Sequence, residues 1–189
     1  MAAEIDGNAP DLDEESAPVL LELVGSIAIP SGKILVPRCG SGHDVFSLAS
    51  PESVVTGLDP RPEMAARFEA TRVERGIPRS FVRFVSGDFF TWAADGPFDL
   101  VWDAAFACGV APAERARWAE RVAELVAPEG ELWILIYPTS RTTALPALDP
   151  RDLDASLLAT SFDRVALAPV ARSHAHRQGL EWLGRWRRR

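Results

Sequence analysis

Two closely spaced glycines mark the first place where this chain could bind a ligand. Gly40 and Gly42 lie in the segment Pro-Arg-Cys-Gly-Ser-Gly-His-Asp at 37–44. Such a pair lets the backbone turn tightly and lets a ligand approach without meeting a Cβ atom, and the helix that follows offers unpaired N–H groups. Many glycine pairs are plain turns. This pair predicts a binding loop because it stands between a predicted strand and a predicted helix.

An acidic residue ends the next apolar run. Asp59 follows Gly57 and Leu58 and stands seventeen residues after Gly42. A carboxylate at this position can accept two hydrogen bonds from the hydroxyls of a ribose, as in nucleoside-cofactor sites. Alternatively, Asp59 caps a helix that begins at Pro60, since Asp before Pro also fits a helix start. The two roles are compatible.

Two further acids end the following runs. Asp88 precedes Phe89, so a carboxylate could accept an exocyclic amine while an aromatic ring packs against a base. Asp103 ends the fourth run and leads into Phe106. Ligands of open α/β sheets bind at the carboxyl ends of the strands, so we expect these acids at one edge of a sheet.

The loop distinguishes between classes of nucleotide-binding protein. A dehydrogenase loop requires a third glycine at position 45, where this chain has Val45, and no Gly-Lys-Ser or Gly-Lys-Thr follows the turn as in a P-loop. Strand ends lined with acids suit a nucleoside cofactor whose arm is positively charged better than one whose arm is phosphorylated. S-adenosylmethionine is such a cofactor, and S-adenosylhomocysteine is its product.

Strands and helices that could position these residues alternate along the chain. Strands are predicted at 34–36, 54–58, 82–85, 100–102 and 132–136. Helices are predicted at 17–29, 44–49, 63–74 and 113–126. Two late runs, 164–168 and 180–186, predict an antiparallel hairpin. The fold predicted by this alternation is α/β, a single Rossmann-like, doubly wound sheet of seven strands, mostly parallel with an antiparallel C-terminal hairpin.

Length and composition favour one folded domain. The chain has 189 residues, of which 47% are hydrophobic and 25% are charged, as in ordinary globular proteins. Residues 1–16 are acidic and poor in apolar side chains, so we expect a mobile segment there and a folded domain over 17–189. Two cysteines, Cys39 and Cys108, cannot form a disulfide framework or a four-cysteine zinc site. No metal site is predicted.

The charge distribution bears on partners and location. The net charge of −7 argues against a general nucleic-acid binder. From residue 164 onward there are seven arginines and one acid, Glu181, so this end is either a basic tail that seeks an anion or a solvated end beyond the last strand. The apolar stretch 19–29 is too short for a bilayer, and no basic region opens the chain as in a signal peptide. We expect a cytoplasmic monomer with a small-molecule substrate and no nucleic-acid or membrane partner.

Four segments make the prediction more specific. They are Leu-Val-Pro-Arg-Cys-Gly-Ser-Gly-His-Asp at 35–44, Gly-Leu-Asp at 57–59, Ser-Gly-Asp-Phe-Phe-Thr-Trp at 86–92, and Phe-Asp-Leu-Val-Trp-Asp-Ala-Ala-Phe-Ala-Cys-Gly-Val-Ala-Pro at 98–112. In this order, over about 34–137, the chain resembles the thiopurine methyltransferase family of class I S-adenosylmethionine-dependent methyltransferases, which includes thiol and halide methyltransferases. Val36 followed by Pro37 stands where most class I enzymes have an acid, as in this family.

The resemblance implies a role for each predicted site residue. The loop would hold the methionine moiety of the cofactor through Pro37, Arg38, Cys39, Gly40 and Gly42. Asp59 with Pro60 would hold the ribose, and Asp88 with Phe89 would hold the adenine. Asp103 and Phe106 would line the methyl-transfer end, where Arg115 would face the substrate. Alternatively, Arg115 is an exposed helix residue paired with Glu114 or Glu120.

The chain departs from the family pattern at three places. Arg38 stands where the family has glycine, so its side chain either swings outward or crowds the cofactor's carboxylate, with which it could pair. The N-terminal segment 1–16 lacks the aromatic residues of the family's cofactor lid. The family's Gly-Pro-Pro-Tyr after the fifth strand is replaced at 142–146 by Thr-Thr-Ala-Leu-Pro.

The predicted function is S-adenosylmethionine-dependent methyl transfer to a small thiol or a similar soft nucleophile. A thiol has a pKa of about 8.5, so it supplies thiolate near neutral pH without a strong base. An oxygen nucleophile would need a dedicated base, for which Asp103 is the candidate. A non-catalytic protein that only binds the cofactor is the alternative from another class.

Overall fold

The computed structural model describes residues 15–26, 29–104, 106–137 and 148–189. Only Glu15 and Ser16 of the predicted mobile segment 1–16 are among these residues. The Ser16 hydroxyl is 2.7 Å from the hydroxyl of Ser47. The domain boundary at residue 17 stays a prediction, and the altered segment 142–146 also lies outside the described residues.

Seven strands form one sheet. In chain order they are β1 Gly32–Pro37, β2 Ser53–Asp59, β3 Val82–Ser86, β4 Phe98–Asp103, β5 Val126–Ile136, β6 Phe162–Pro169 and β7 Trp182–Arg188. Their order across the sheet is β3-β2-β1-β4-β5-β7-β6. The first five strands pair in parallel, whereas β7 pairs antiparallel to both β5 and β6. The predicted α/β sheet with an antiparallel C-terminal pair is confirmed.

Within the described residues, five α-helices accompany the sheet: α1 Pro18–Ser26, α2 His43–Leu48, α3 Met64–Glu74, α4 Arg115–Leu125 and α5 Pro150–Leu158. The sequence analysis missed α5, whose start is signalled by Asp149 before Pro150; the Asp149 side chain accepts the N–H of Arg151. It also placed Val126 on a helix. Val126 instead begins β5 and pairs with Phe98.

Large apolar side chains fill both faces of the sheet. Trp102 of β4 and Trp133 of β5 belong to a buried cluster that includes Leu20 of α1. Trp118 of α4 and Trp186 of β7 belong to a second cluster that includes residues of α5. All four indole side chains are fully buried. This burial on two faces keeps the sheet in the interior, so ligands meet it at its strand ends.

Arginines near the C-terminus belong to the sheet rather than to a tail. Arg185 and Arg187 lie in β7, and each donates a hydrogen bond of 2.9 Å to the carboxylate of Glu131 in β5. Both sequence interpretations of this end are therefore wrong for these residues. A strand hydrogen-bonded between two others is neither a frayed end nor a free basic arm.

None of the helices within these described ranges combines the length and the apolar character that crossing a bilayer requires.

Glu131→Gln should lower the free energy of unfolding by about 1–3 kcal/mol at pH 7, since it weakens hydrogen bonds between charged groups. Burial alone would raise the pKa of Glu131, but hydrogen bonds from Trp133, Arg187 and Arg185 outweigh it and hold the pKa below its ordinary value. A lowered folded-state pKa stabilises the fold above the unfolded pKa, and this stabilisation is lost as the pH falls through the folded value. Urea unfolding should therefore show a difference between wild type and variant that shrinks below about pH 4.

Glu120→Gln is the control for this experiment, because Glu120 is exposed and its substitution should change stability by less than about 0.5 kcal/mol. A difference for Glu131→Gln that stayed constant between pH 7 and pH 3 would contradict the ionic role of Glu131.

Candidate active site

The predicted site residues gather where four parallel strands end. β3, β2, β1 and β4 lie side by side in that order and run in the same direction. The chain therefore leaves β1 at Pro37, β2 at Asp59 and β4 at Asp103 along one edge of the sheet. The loop after β3 carries Asp88 at this edge too. The edge is the ligand-binding position of open α/β sheets.

The loop after β1 turns through left-handed backbone. The φ angles are 53° at Arg38, 55° at Gly40 and 93° at Gly42. A Cβ atom on Gly42 would lie 2.5 Å from the ring of Phe68 and 2.9 Å from that of Phe46, so this position requires glycine for both its conformation and its space. Arg38 is one of two described non-glycine residues with positive φ. The conformation gives a physical reason for the glycine expected at position 38.

Arg38 directs its side chain toward the strand ends. Burial lowers the pKa of its guanidinium, nearby Arg61 lowers it further, and the carboxylates of Asp59 and Asp103 act in the opposite direction. Arg38 is half-buried, and its charge interacts with both acids.

Asp59 is fully buried and accepts four hydrogen bonds. The backbone N–H groups of Gly40 and Arg61 each donate a hydrogen bond of 3.0 Å to the carboxylate. The Arg61 side chain donates two more hydrogen bonds. Nε donates to Oδ1 at 2.9 Å, and Nη2 donates to Oδ2 at 3.0 Å. The predicted helix start at Pro60 is wrong, because α3 begins at Met64. Asp59 instead holds the turn that follows β2. The sequence analysis missed Arg61, although an arginine two residues after a strand-end acid was visible.

Cys39 turns its thiol away from the loop's open side. A Cβ atom on Gly57 would lie 2.6 Å from Cys39 Sγ, so the sulfur packs onto β2. Burial raises the pKa of the Cys39 thiol. Burial likewise raises the pKa of Cys108 to about 12, and the Cys108 sulfur accepts the N–H of Tyr137 at 3.4 Å. The Cys39 side chain is therefore directed at β2.

Asp88 and Phe89 differ sharply in exposure. Asp88 is exposed, and its Oδ1 accepts the Phe90 N–H at 3.0 Å and the Thr91 hydroxyl at 3.2 Å. Phe89 is buried, and its ring centroid lies 4.6 Å from that of Phe106. This ring pair joins the loop after β3 to the loop after β4. The residue that sequence analysis overlooked here is half-buried Phe90.

Asp103 holds the turn after β4. Its carboxylate is buried and accepts the N–H of Phe106 at 2.8 Å and the N–H of Ala107 at 3.0 Å. These bonds fix Phe106 at the start of a short 3₁₀ turn, 107–109. Because backbone donors already occupy the carboxylate, its geometry is that of a positioning group.

Arg115 begins α4 and keeps a polar atom without a partner. Its Nε is buried and makes no hydrogen bond in the described part of the chain. The alternative of pairing with Glu114 or Glu120 is not observed: Glu114 lies 3.8 Å from Arg117 instead. Ser41 Oγ in the β1 loop is a second buried polar atom with no partner among the described residues. Buried polar atoms of this kind are usually satisfied, so these two are free to bond a group from outside the described residues.

The fold is that of class I S-adenosylmethionine-dependent methyltransferases. A solved glycopeptide N-methyltransferase, MtfA, in complex with S-adenosyl-L-homocysteine superposes with a TM-score of 0.74. The superposition covers 95% of this chain and 92% of that chain, at 18% identity. At this identity the likeness concerns the fold alone.

Sequence comparison identifies the family. The family model of thiopurine S-methyltransferase matches residues 8–170. Thiocyanate methyltransferase 1 of Brassica oleracea is 36% identical over 185 residues, covering 97% of this chain and 81% of that protein. Probable thiol methyltransferase 2 of Arabidopsis thaliana is 34% identical over 174 residues, covering 90% and 76%. The chain belongs to the thiopurine S-methyltransferase family.

It is accordingly an S-adenosylmethionine-dependent methyltransferase with a small-molecule methyl acceptor. The predicted family, enzyme class and cofactor are confirmed, and the non-catalytic alternative is not favoured.

Both thiols should be unreactive in the folded protein. The thiolate is the reactive form of cysteine, and burial raises the pKa values of both Cys39 and Cys108. Labelling with 5,5′-dithiobis(2-nitrobenzoate) at pH 8 should be at least about 100-fold slower in native protein than in guanidinium chloride, where the pKa returns to about 8.5. Cys39→Ser and Cys108→Ser assign each phase, and fast native labelling of either thiol would contradict its burial.

Proposed function

We propose that this methyltransferase methylates the sulfur of a small thiol or a similar soft, already anionic nucleophile. One observation supports the proposal: the Asp103 carboxylate at the end of β4 is bonded to backbone N–H groups, while Arg115 at the start of α4 keeps a buried Nε–H that has no partner among the described residues. Such a site offers positive charge rather than a base. It suits a nucleophile that loses its proton in water, and the names of the thiocyanate and thiol methyltransferases agree with it.

The described residues fit the cofactor. S-adenosylmethionine, when bound, supplies a methyl group on a positively charged sulfur. Asp59, a buried carboxylate at a strand end, would accept the ribose hydroxyls beside Pro60. The loop residues Pro37, Cys39, Gly40 and Gly42 would present their main chain to the methionine moiety.

Three side chains would complete the cofactor site. Arg38 would pair with the cofactor's carboxylate, which its half-buried position near the strand ends supports. Asp88 would accept the adenine's exocyclic amine through Oδ2, since both of its side-chain bonds use Oδ1. Phe89 would support the adenine site by its edge, because its ring packs against Phe106.

Three residues would have separate roles at the acceptor end of the proposed site. Asp103 positions the turn, Phe106 forms an apolar wall, and Arg115 attracts the acceptor. An arginine stays protonated, so it cannot take a proton from the acceptor. Its charge favours the thiolate over the thiol and so lowers the acceptor's pKa. Displacement at the methyl carbon then needs alignment of the two reactants, which a site fixed on strand ends can provide.

We further propose that the enzyme acts as a cytoplasmic monomer without nucleic-acid or membrane partners. The net charge of −7 opposes binding to phosphate backbones. The arginines of β7 support this, because two of them form ion pairs with Glu131. The two cysteines are unpaired, as is usual in a reducing compartment.

Thiophenol and phenol form a matched pair of acceptors that tests the proposal. Thiophenol should be methylated at pH 7.5, and phenol should react at least about 100-fold more slowly, because a phenol with a pKa of about 10 stays protonated when no base is present. Formation of S-adenosylhomocysteine measures both rates. Comparable turnover of phenol would contradict an acceptor site without a base.

Arg115→Ala should raise KM for an anionic thiol by roughly 10- to 100-fold, because the substitution removes a hydrogen bond between charged groups. Affinity for S-adenosylhomocysteine should change less than about twofold. Arg115→Lys, which keeps the charge, should recover part of the KM. An equal loss of both affinities would mean that the substitution disturbs the fold or the cofactor site, and an unchanged KM would leave Arg115 as a surface residue.

A further inference from the structure

Asp59 and Arg61 form a two-pronged ion pair at the centre of the proposed cofactor site. Arg61 Nε lies 2.9 Å from Oδ1 and Arg61 Nη2 lies 3.0 Å from Oδ2 of the carboxylate. The side chain of Asp59 is 0% exposed, whereas that of Arg61 is 36% exposed. The guanidinium therefore covers the carboxylate on the side that faces solvent.

This pair uses all the hydrogen-bonding capacity of the carboxylate. Two carboxylate oxygens offer about four acceptor sites. The N–H groups of Gly40 and Arg61 take two of them, and the two guanidinium N–H groups take the others. A ribose presents two hydroxyl donors, so it cannot bond to Asp59 until two of the present donors leave.

The guanidinium is the donor that can leave. The Gly40 N–H belongs to the left-handed β1 loop, and the Arg61 N–H belongs to the turn just after Asp59, so both are held by backbone. The Arg61 side chain is partly exposed, and an arginine side chain has many alternative rotamers. Arg38 nearby adds a repulsive charge, as the lowering of its pKa by Arg61 indicates.

We infer that the Arg61 guanidinium is an internal occupant of the ribose subsite and that it sets the affinity for the cofactor by competing with the ribose hydroxyls for Asp59. The inference rests on the proposed role of Asp59. Before the cofactor binds, Arg61 neutralises a buried charge that would otherwise destabilise the strand end. When the cofactor binds, two hydroxyl donors replace two guanidinium donors, and Arg61 swings into solvent.

Calorimetric titration with S-adenosylhomocysteine tests this competition. Arg61→Met should bind about tenfold more tightly than wild type, because no ion pair has to be broken. Asp59→Ala should bind more weakly, because it removes the acceptor of the hydroxyls. Arg79→Met is the matched control: it removes the same charge from a side chain that is 76% exposed and paired with Glu69, and it should leave the affinity unchanged.

A matched pair of ligands isolates the ribose. Adenosine should show the gain in affinity from Arg61→Met, whereas 2′,3′-dideoxyadenosine should not, since it has no hydroxyls to replace the guanidinium. A second readout is thermal stability without ligand. Arg61→Met should melt at a lower temperature than wild type, and S-adenosylhomocysteine should raise its melting temperature by more than it raises that of wild type.

The outcomes separate the two proposals. If wild type binds S-adenosylhomocysteine and Arg61→Met binds equally or more weakly, Arg61 only supports Asp59 and the inference is overturned. If neither protein binds S-adenosylhomocysteine, the proposed cofactor role of Asp59 fails, and with it the premise of the inference about Arg61. If Arg61→Met does not fold, Arg61→Lys takes its place in the titration. A lysine cannot form the two-pronged pair, so the Arg61→Lys protein should bind the ligand more tightly than wild type. Equal or weaker binding by Arg61→Lys would overturn the inference.

Discussion

The hydrogen bond between the buried carboxylate of Asp59 and the N–H of Gly40 is the contact on which the proposed cofactor site depends. It joins the end of β2 to the loop after β1 across 3.0 Å. A buried carboxylate must be hydrogen-bonded, and the Gly40 N–H is available only because the loop turns through left-handed backbone at Arg38 and Gly40. Loop conformation and carboxylate position therefore specify each other.

A similar arrangement recurs at the end of β4, the proposed acceptor end. Asp103 ends β4 and accepts the N–H groups of Phe106 and Ala107, so a second buried acid shapes a second loop. Asp59 accepts two backbone N–H groups and two guanidinium N–H groups of Arg61, whereas the bonds described above for Asp103 come from backbone. Arg61 and Arg38 lie near Asp59, whereas Arg115 has no carboxylate partner in the described ranges. The charge pattern therefore differs between the two places: Arg61 is paired with the Asp59 carboxylate at the end of β2, whereas the Nε of Arg115 at the start of α4 is unpaired in the described residues.

A third acid ties the N-terminal helix to this frame. Asp44, in the first turn of α2, accepts the indole N–H of Trp102 at 2.7 Å and the N–H of Ala17 at 3.2 Å. Burial raises the pKa of Asp44, and these two bonds partly offset the rise. The chain just before α1 is thus fixed beside the cofactor loop, although the sequence analysis assigned Asp44 no role beyond its place in the loop segment.

Sequence alone determined the fold class, the strand ends and the residues that stand at them. Apolar periodicity and a glycine pair are local signals, so they can be read without knowing which residues are neighbours in the folded protein. Where side chains point was decided by tertiary contacts. Cys39 turned inward because Gly57 leaves space on β2, Arg61 closed over Asp59, and Arg185 and Arg187 met Glu131 only once β7 had paired with β5. The contacts of Cys39 and of Glu131 join residues from separate strands or loops, whereas Arg61 lies two residues from Asp59. The physical reason they share is that a buried charge or sulfur takes whatever partner the packed sheet brings within reach.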